Sequence, residues 1–384
     1  MMPRADGPLK ILHLCAYPLF SGAVPSTLGL AAAQRRDGHT VFLALDTKRG
    51  AFNDFEEAAE PQVALHGLAP TPALTLSTKS TPIEVVRDLS RLKHLVRSEQ
   101  IDVVHTHLSH DHVLATFALW REPDLIRVRT FHSARSLAPR FGQSWLNRQA
   151  RGFIVRAQRH RELLCQRFGV PTDSTRVIAG GIDATRFAPV SAPERRAARR
   201  ALDIGDDVVV IGHVALLADR GQQELVAALE LVAHTNVQLL FVGRGEGEDH
   251  LRARVSVSRV GNRVHFAGYV PAKELRGIYA AMDAAFVPQA GNDASARAAL
   301  EALACQIPIV AVRVDALADW VTPVLGYPLE TREPAEIARG IMSLASDRTE
   351  RERRGAAGHA YVLSQRSFEQ EAAQTVAFYR TLSH

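Results

Sequence analysis

With 384 residues the chain is long for a single hydrophobic core and suits two domains of ordinary size. An apolar fraction of 46% and a charged fraction of 23% exclude a disordered chain, and no apolar run approaches the roughly 18 residues that a membrane-spanning helix needs. The net charge is +5, carried by Arg far more than by Lys, and without aromatic-basic interleaving or a zinc pattern no nucleic-acid partner is expected.

In chain order, Leu9–Cys15 reads as a short buried strand. A loop containing Ser21 and Gly22 leads into a helix from Pro25 or Ser26 to Arg36, and strand Thr40–Leu45 completes a βαβ unit. His13 and Pro18 interrupt any signal-peptide core. Pro61, Pro70 and Pro72 mark residues 51–80 as loops and edge strands. Pro82–Gln100 is expected to be an amphipathic helix with Ile83, Val86, Leu89, Leu92 and Val96 on its buried face. Strand Val103–Val104 runs into His105 and His107, with His110 and His112 nearby. No carboxylate or cysteine stands at ligand spacing, so no metal is expected. A helix from Asp111 to Leu119 and strand Ile126–Phe131 follow, the latter ending at His132.

Residues 135–167 hold Arg135, Arg140, Arg148, Arg151, Arg156, Arg159, Arg161 and Arg167, with Phe141, Trp145 and Phe153 among them. This stretch is either a solvated face or a peripheral contact with anionic membrane lipid. Strand Gly152–Val155, helix Ala157–Phe168 and strand Thr175–Ile178 bring the chain to Gly180-Gly181-Ile182-Asp183-Ala184-Thr185-Arg186-Phe187-Ala188-Pro189 and a linker rich in Pro, Ala and charge.

The second half opens with strand Val208–Val214 and a loop carrying Arg220-Gly221. Strand Val237–Val242 runs into Gly243-Arg244-Gly245-Glu246-Gly247, followed by a helix, strand Val264–Ala267, Gly268-Tyr269-Val270 and helix Leu275–Met282. Strand Ala284–Pro288 then gives a polar loop with Asp293, a helix from about Ser295, and strand Pro308–Val312. A strand-loop-helix of this kind presents backbone N–H groups and a positive dipole end, a site suited to phosphate. Asp293 and Glu301 stand eight positions apart, on one side of that helix. Helices Pro334–Ala345, Glu350–Leu363 and Phe368–Leu382 close the chain. Cys15, Cys165 and Cys305 are scattered and read as buried thiols of a reducing compartment.

Glu301-Ala302-Leu303-Ala304-Cys305-Gln306-Ile307-Pro308-Ile309-Val310-Ala311, the segment 180–189 and the opening βαβ unit resemble glycosyltransferase family four, retaining enzymes of the GT-B fold. The resemblance implies an α/β architecture of two doubly wound Rossmann-like domains facing a cleft: residues 1–188 on the acceptor side and 189–363 binding nucleotide sugar, with helix 364–384 packing back on the first. It implies a metal-independent hexosyltransferase moving a sugar from an NDP-sugar, with UDP or GDP undetermined and no further cofactor, to a bacterial glycan or lipid-linked acceptor. Within the family pattern His132 meets the donor sugar, Asp293 the reacting sugar, Arg220 the diphosphate and Glu301 the ribose. Gly22 belongs to a loop that touches the donor phosphates and Ala296 to the loop where the family has glycines; Gly243, Tyr269 and Val270 belong to the segment whose backbone holds the base, and Arg244 and Arg297 are the candidates for the diphosphate cation that Leu216 does not supply. Asp293 stands where the family has Glu, Ala294-Ser295-Ala296 where it has glycines, and Leu216 where it has Arg. Two alternatives follow from these departures: a catalytically silent relative that binds sugar nucleotide as a partner subunit, and a GT-B sugar-nucleotide epimerase. The expected location is cytoplasmic, and peripheral on the inner membrane face under the lipid reading of residues 135–167.

Overall fold

A computed structural model describes residues 7–20, 22–46, 62–64, 66–68, 71, 74–139, 142–289 and 296–383. Short runs of Val, Ile and Leu, each followed by a helical crossover, form two parallel sheets, because such runs must be covered on both faces. The first sheet holds β1 (Lys10–Cys15), β2 (Thr40–Leu45), β3 (Val103–Thr106), β4 (Ile126–Phe131), β5 (Gly152–Val155) and β6 (Thr175–Val177), in the order β2-β1-β3-β4-β5-β6. The second holds β7 (Val209–Val214), β8 (Val237–Val242), β9 (Val264–Gly268), β10 (Ala284–Val287), β11 (Ile309–Val312) and β12 (Gly326–Leu329), in the order β12-β11-β10-β7-β8-β9. Each sheet starts at an inner strand, β1 or β7, and winds outward both ways. The loops after β1 and β3, and those after β7 and β10, therefore part at a topological switch point, where open α/β sheets bind ligands.

The chain divides into two compact units, with boundaries at Gly181/Ile182 and Arg366/Ser367. These lie a few residues from the 188/189 and 363/364 expected. Packing explains the shift: a Cβ on Gly181 would lie 2.6 Å from the Ser367 carbonyl oxygen, whereas Ile182 and Phe187 belong to the core of the second unit. The helix Phe368–Thr381 is part of the first unit. Its Val376, Phe378 and Tyr379 pack among Leu9, Ile11, Val103 and Ile126. Glu371 on it meets Arg156 at 2.6 Å, both side chains 1% exposed, and accepts the Gly181 N–H at 2.8 Å.

Two expectations are corrected. Helix Pro82–Ser98 forms, but Ile83 and Val86 are 73% and 65% exposed while Leu92 and Val96 are buried. Its inner face includes Asp88, whose carboxylate accepts the backbone N–H groups of Thr75 and Leu76 at 3.0 and 2.9 Å, turning the helix away from the all-apolar stripe. Strand β12 was not foreseen: it is four residues long and contains Pro328, which an edge strand tolerates. Of the loops and edge strands expected at 51–80, residues 51–61 lie outside the described residues, and the described ones contain no strand.

Candidate functional site

In the second unit the predicted residues cluster on loops at the carboxyl ends of β7 to β10. Gly221, at φ 91°, starts the helix Gln222–Leu231 and turns the chain tightly against Pro288, 2.8 Å from where its Cβ would stand. Arg220 precedes it, half-buried, its N–H donating to the Gln222 side-chain oxygen. The glycines after β8 have a packing reason. A Cβ at Gly243 would lie 2.0 Å from the Ala215 oxygen and one at Gly245 2.4 Å from the Leu217 oxygen, because the two loops run backbone to backbone. Gly243 also donates its N–H to Gly268 at 2.8 Å, so what it visibly serves is the loop pair. Arg244 is exposed, its guanidinium within 3.6 Å of the Cβ position of Gly268, beside half-buried Tyr269 and Val270.

Asp293, with Ala294 and Ser295, lies outside the described residues. Ala296 begins the helix Arg297–Ala304 with φ 51° and ψ 50°, the left-handed conformation that glycine adopts without strain. Glu301 is buried, and its Oε2 accepts a hydrogen bond from the Tyr279 hydroxyl at 2.8 Å. Burial raises its carboxyl pKa, opposed by the positive charge of Arg297 and the Tyr279 bond. Tyr279, fully buried edge-on against Phe187, escaped the sequence reading because it sits 22 residues from Glu301. His213 escaped it too. At the end of β7 it donates from Nδ1 to the Phe286 carbonyl at 3.0 Å, and burial pushes its pKa down to about 4, leaving Nε2 a neutral acceptor.

In the first unit a cavity of about 190 Å³ opens at the switch point, lined by Tyr17 and Gly22 after β1, His107 and Ser109 after β3, and Thr130 and His132 at the end of β4. Gly22, at φ 56°, is required there by backbone conformation, since nothing lies within 4 Å of its Cβ position. His132 is buried, with Nε2 3.0 Å from His107 Nδ1. Asp111 holds the turn that carries His107 by accepting the N–H groups of His107 and Leu108, and burial pushes its carboxyl up to about 7. His13, absent from the sequence-level candidates, joins His105 and His107 so that ring nitrogens of all three lie within 4.8 Å of one another. No sequence spacing reveals this: β1 and β3 are neighbours in the sheet, and His13 pairs with His105 in register.

The basic stretch is not one face. Arg156 is buried in its ion pair with Glu371, Phe153 lies in the core, and Arg151, Arg161 and Arg167 donate to backbone carbonyls. Arg140 and Phe141 lie outside the described residues. Of the stretch's aromatic residues Trp145 is exposed and stands against exposed Phe117, their ring centres 6.0 Å apart, and Trp120 is exposed as well. Among the described residues no helix is long and apolar enough to cross a membrane.

Comparison with known proteins matches both halves. The model described as Glycosyltransferase Family 4 matches residues 20–186, and that described as Glycosyl transferases group 1 matches 194–360. The chain is 30% identical over 201 residues to a GDP-mannose-dependent monoacylated alpha-(1-6)-phosphatidylinositol monomannoside mannosyltransferase of Corynebacterium glutamicum, covering 50% of this chain and 52% of that protein. It is 27% identical over 302 residues to a D-inositol 3-phosphate glycosyltransferase of Corynebacterium jeikeium, covering 71% of each. The chain thus spans about half the length of the first of these relatives. Among solved structures, a glycosyltransferase from Rickettsia africae superposes with a TM-score of 0.81 at 16% identity, over 98% of this chain and 99% of that one. Anabaena HepE in complex with UDP-glucose gives 0.76 at 20%, over 96% and 99%. At such identities these two carry the fold, which is GT-B. With its two halves matched in turn by the family's own pair of models, the chain belongs to glycosyltransferase family four.

Proposed function

We propose that this protein transfers a sugar from a nucleoside-diphosphate sugar to a hydroxyl of a glycan or lipid-linked acceptor, with retention at the anomeric carbon. The bond from that carbon to the diphosphate breaks, a bond to the acceptor oxygen forms on the same face, and the hydroxyl proton leaves with the diphosphate. The observation that carries this reading is the buried Glu301, which stands on the helix that follows switch-point strand β10 and is held by Tyr279 from the helix Leu275–Ala280 before that strand. A carboxylate kept out of water and fixed by one hydroxyl suits the paired hydroxyls of a ribose. Arg220, on the loop after β7, is a charged donor for the diphosphate, aided by the helix dipoles. Asp293 is assigned to the reacting sugar and His132 to a sugar hydroxyl. The Corynebacterium relative is named for GDP-mannose and the Anabaena structure holds UDP-glucose, which frames the choice of donors to test.

A thermal-shift panel of UDP- and GDP-sugars tests it, since a ligand at 100 times its dissociation constant adds about 2.7 kcal/mol. At least one should stabilise the protein, Glu301→Ala should abolish the shift, and sugar should move only when acceptor is supplied. A shift without transfer to any acceptor would identify a binding subunit. Isomerised donor without acceptor would identify an epimerase.

A further inference from the structure

A phenol hydroxyl carries one proton, and that of Tyr279 stands within reach of two acceptors: Glu301 Oε2 at 2.8 Å and the Ala298 carbonyl oxygen at 3.3 Å. Burial, and then the carboxylate beside it, lift the Tyr279 pKa well above the ordinary phenol value, so the proton stays on the ring oxygen. Glu301 accepts no other hydrogen bond among the described residues.

Two arrangements satisfy this buried pair, and they differ by one proton on Glu301. With the carboxylate ionised, Tyr279 donates to Oε2. With the carboxyl protonated on Oε2, that oxygen donates to the phenol oxygen, and the Tyr279 proton turns to the Ala298 carbonyl. Neither form leaves a buried donor orphaned. Burial favours the protonated form and raises the Glu301 pKa, while Arg297 one turn earlier on the helix, the Tyr279 bond and Arg186 favour the ionised one. The remaining neighbours are few. Cys305, one turn later, has its thiol pushed up to about 12 and is uncharged, and Arg276 on the Tyr279 helix is taken up by the Ala188 and Pro189 carbonyls and Glu194. Strands β10 and β11 bring only apolar side chains, and the helix Arg348–Gln365, which packs on this one, brings His359 with its Nδ1 2.7 Å from the Ala304 carbonyl oxygen.

We propose that Tyr279 is a positioning residue that carries Glu301 between these two forms, so that a sugar nucleotide binds with release of the Glu301 proton: the ribose hydroxyls donate to the carboxylate, and the Tyr279 proton turns from Ala298 to Oε2 to hold it ionised. One proton passes from Glu301 to solvent for each donor taken up by the protonated form, and no bond within the donor changes. The place of the ribose rests on the glycosyl-transfer reading above; the exchange between Tyr279 and Glu301 does not. Donor affinity is therefore full above the pKa that Glu301 has in the free protein and falls as pH drops through it, by at most about tenfold per pH unit for one proton. A diphosphate esterified at both ends lacks the monoester proton that titrates near about 6, and His213, pushed down to about 4, stays neutral over the same range.

Carbon-13 NMR of the glutamate carboxyls in the intact, nucleotide-free protein, with Glu301→Gln to assign the signal, tests the exchange. Glu301 should titrate above the ordinary carboxylate value of about 4.3, and in Tyr279→Phe, which removes the bond to the ionised form, at a pH at least about 1 higher. Calorimetry with UDP-glucose and GDP-mannose tests the coupling. At the pH where Glu301 of the free protein is half-protonated, binding should release about half a proton, read across buffers of different ionisation enthalpy, and Glu301→Gln should release none. The pH profile of donor affinity in Tyr279→Phe should be displaced upward together with its NMR titration. An affinity loss in Tyr279→Phe that is equal at every pH would make Tyr279 merely structural and overturn the proposal. So would a Glu301 that titrates at the ordinary value, a Tyr279→Phe titration identical to wild type, or donor binding without proton release. Should neither nucleotide bind while Tyr279→Phe still moves the Glu301 titration, the exchange stands and the glycosyl-transfer reading falls.

Discussion

Ala296 holds a left-handed backbone conformation, φ 51°, at the start of the helix that carries Glu301. A Cβ in that region is disfavoured by roughly 1–2 kcal/mol, partly offset for glycine by the greater freedom its unfolded chain loses on folding. Ala296→Gly is therefore expected to stabilise the protein by up to about 1 kcal/mol, read as a higher urea midpoint at unchanged slope; a lower midpoint would show that the buried methyl of Ala296 contributes more than the strain costs. Glu301 gives a second prediction. Its folded pKa is raised by burial, so the native state binds more protons than the unfolded state. Stability from this group is full below the ordinary carboxylate pKa and declines as pH rises through the raised value. Glu301→Gln removes the titration. The variant should gain on wild type as pH climbs from about 4 toward 8, in the absence of nucleotide, and a difference constant with pH would contradict the shift.

The element that most tightly binds distant sequence together is the C-terminal helix Phe368–Thr381. Its Glu371 and the Arg156 at the end of β5 are buried partners, and removing one leaves the other charge without compensation, at a cost of about 3–5 kcal/mol. Glu371→Ala should lower stability by that amount, and Arg156→Met with Glu371→Leu should recover most of it; equal instability of single and double variants would place the cost in packing instead. Elements were widely legible in this sequence because parallel strands announce themselves as apolar runs: β1, β2, β4, β5, β8 and β11 stand within a residue of where the runs place them. Which face a helix buries was less legible. Asp88 reads as an exposed residue in sequence, yet two backbone N–H groups take its carboxylate inside. The candidate site was legible where a residue acts within its own motif, as Glu301 does. It was not where the partner is distant in sequence, as with Tyr279 for Glu301 or with His13 for His107, since these pairings exist only after the sheets form.

At the scale of the whole molecule, two parallel sheets of different strand order each have a switch point of the kind where open α/β sheets bind ligands, and the units differ further in the chemistry of their surfaces. The first unit exposes Phe117 by 55%, Trp120 by 65% and Trp145 by 48%, with the Phe117 and Trp145 rings 6.0 Å apart and the Arg121 guanidinium 4.7 Å from the Trp120 ring centre. Arg148 is exposed three residues beyond Trp145. Amphipathic rings flanked by arginines suit the headgroup layer of an anionic membrane, where a lipid-linked acceptor would be met. The Phe117–Trp145 pair with Arg148, together with the Trp120–Arg121 pair, is proposed as the peripheral contact in place of the whole stretch 135–167. The protein should bind vesicles containing acidic phospholipid. Burying an aromatic side chain is worth roughly 1.5–3 kcal/mol, so Trp120→Ala with Trp145→Ala should weaken binding at least about tenfold while leaving the melting temperature within a degree or two, both side chains being exposed. Salt should attenuate the binding without abolishing it, because the charge contribution is screened beyond about 8 Å at physiological ionic strength and the apolar one is not. Binding that is equally strong to neutral vesicles, or untouched by loss of both tryptophans, would sink the idea and leave these rings as surface residues.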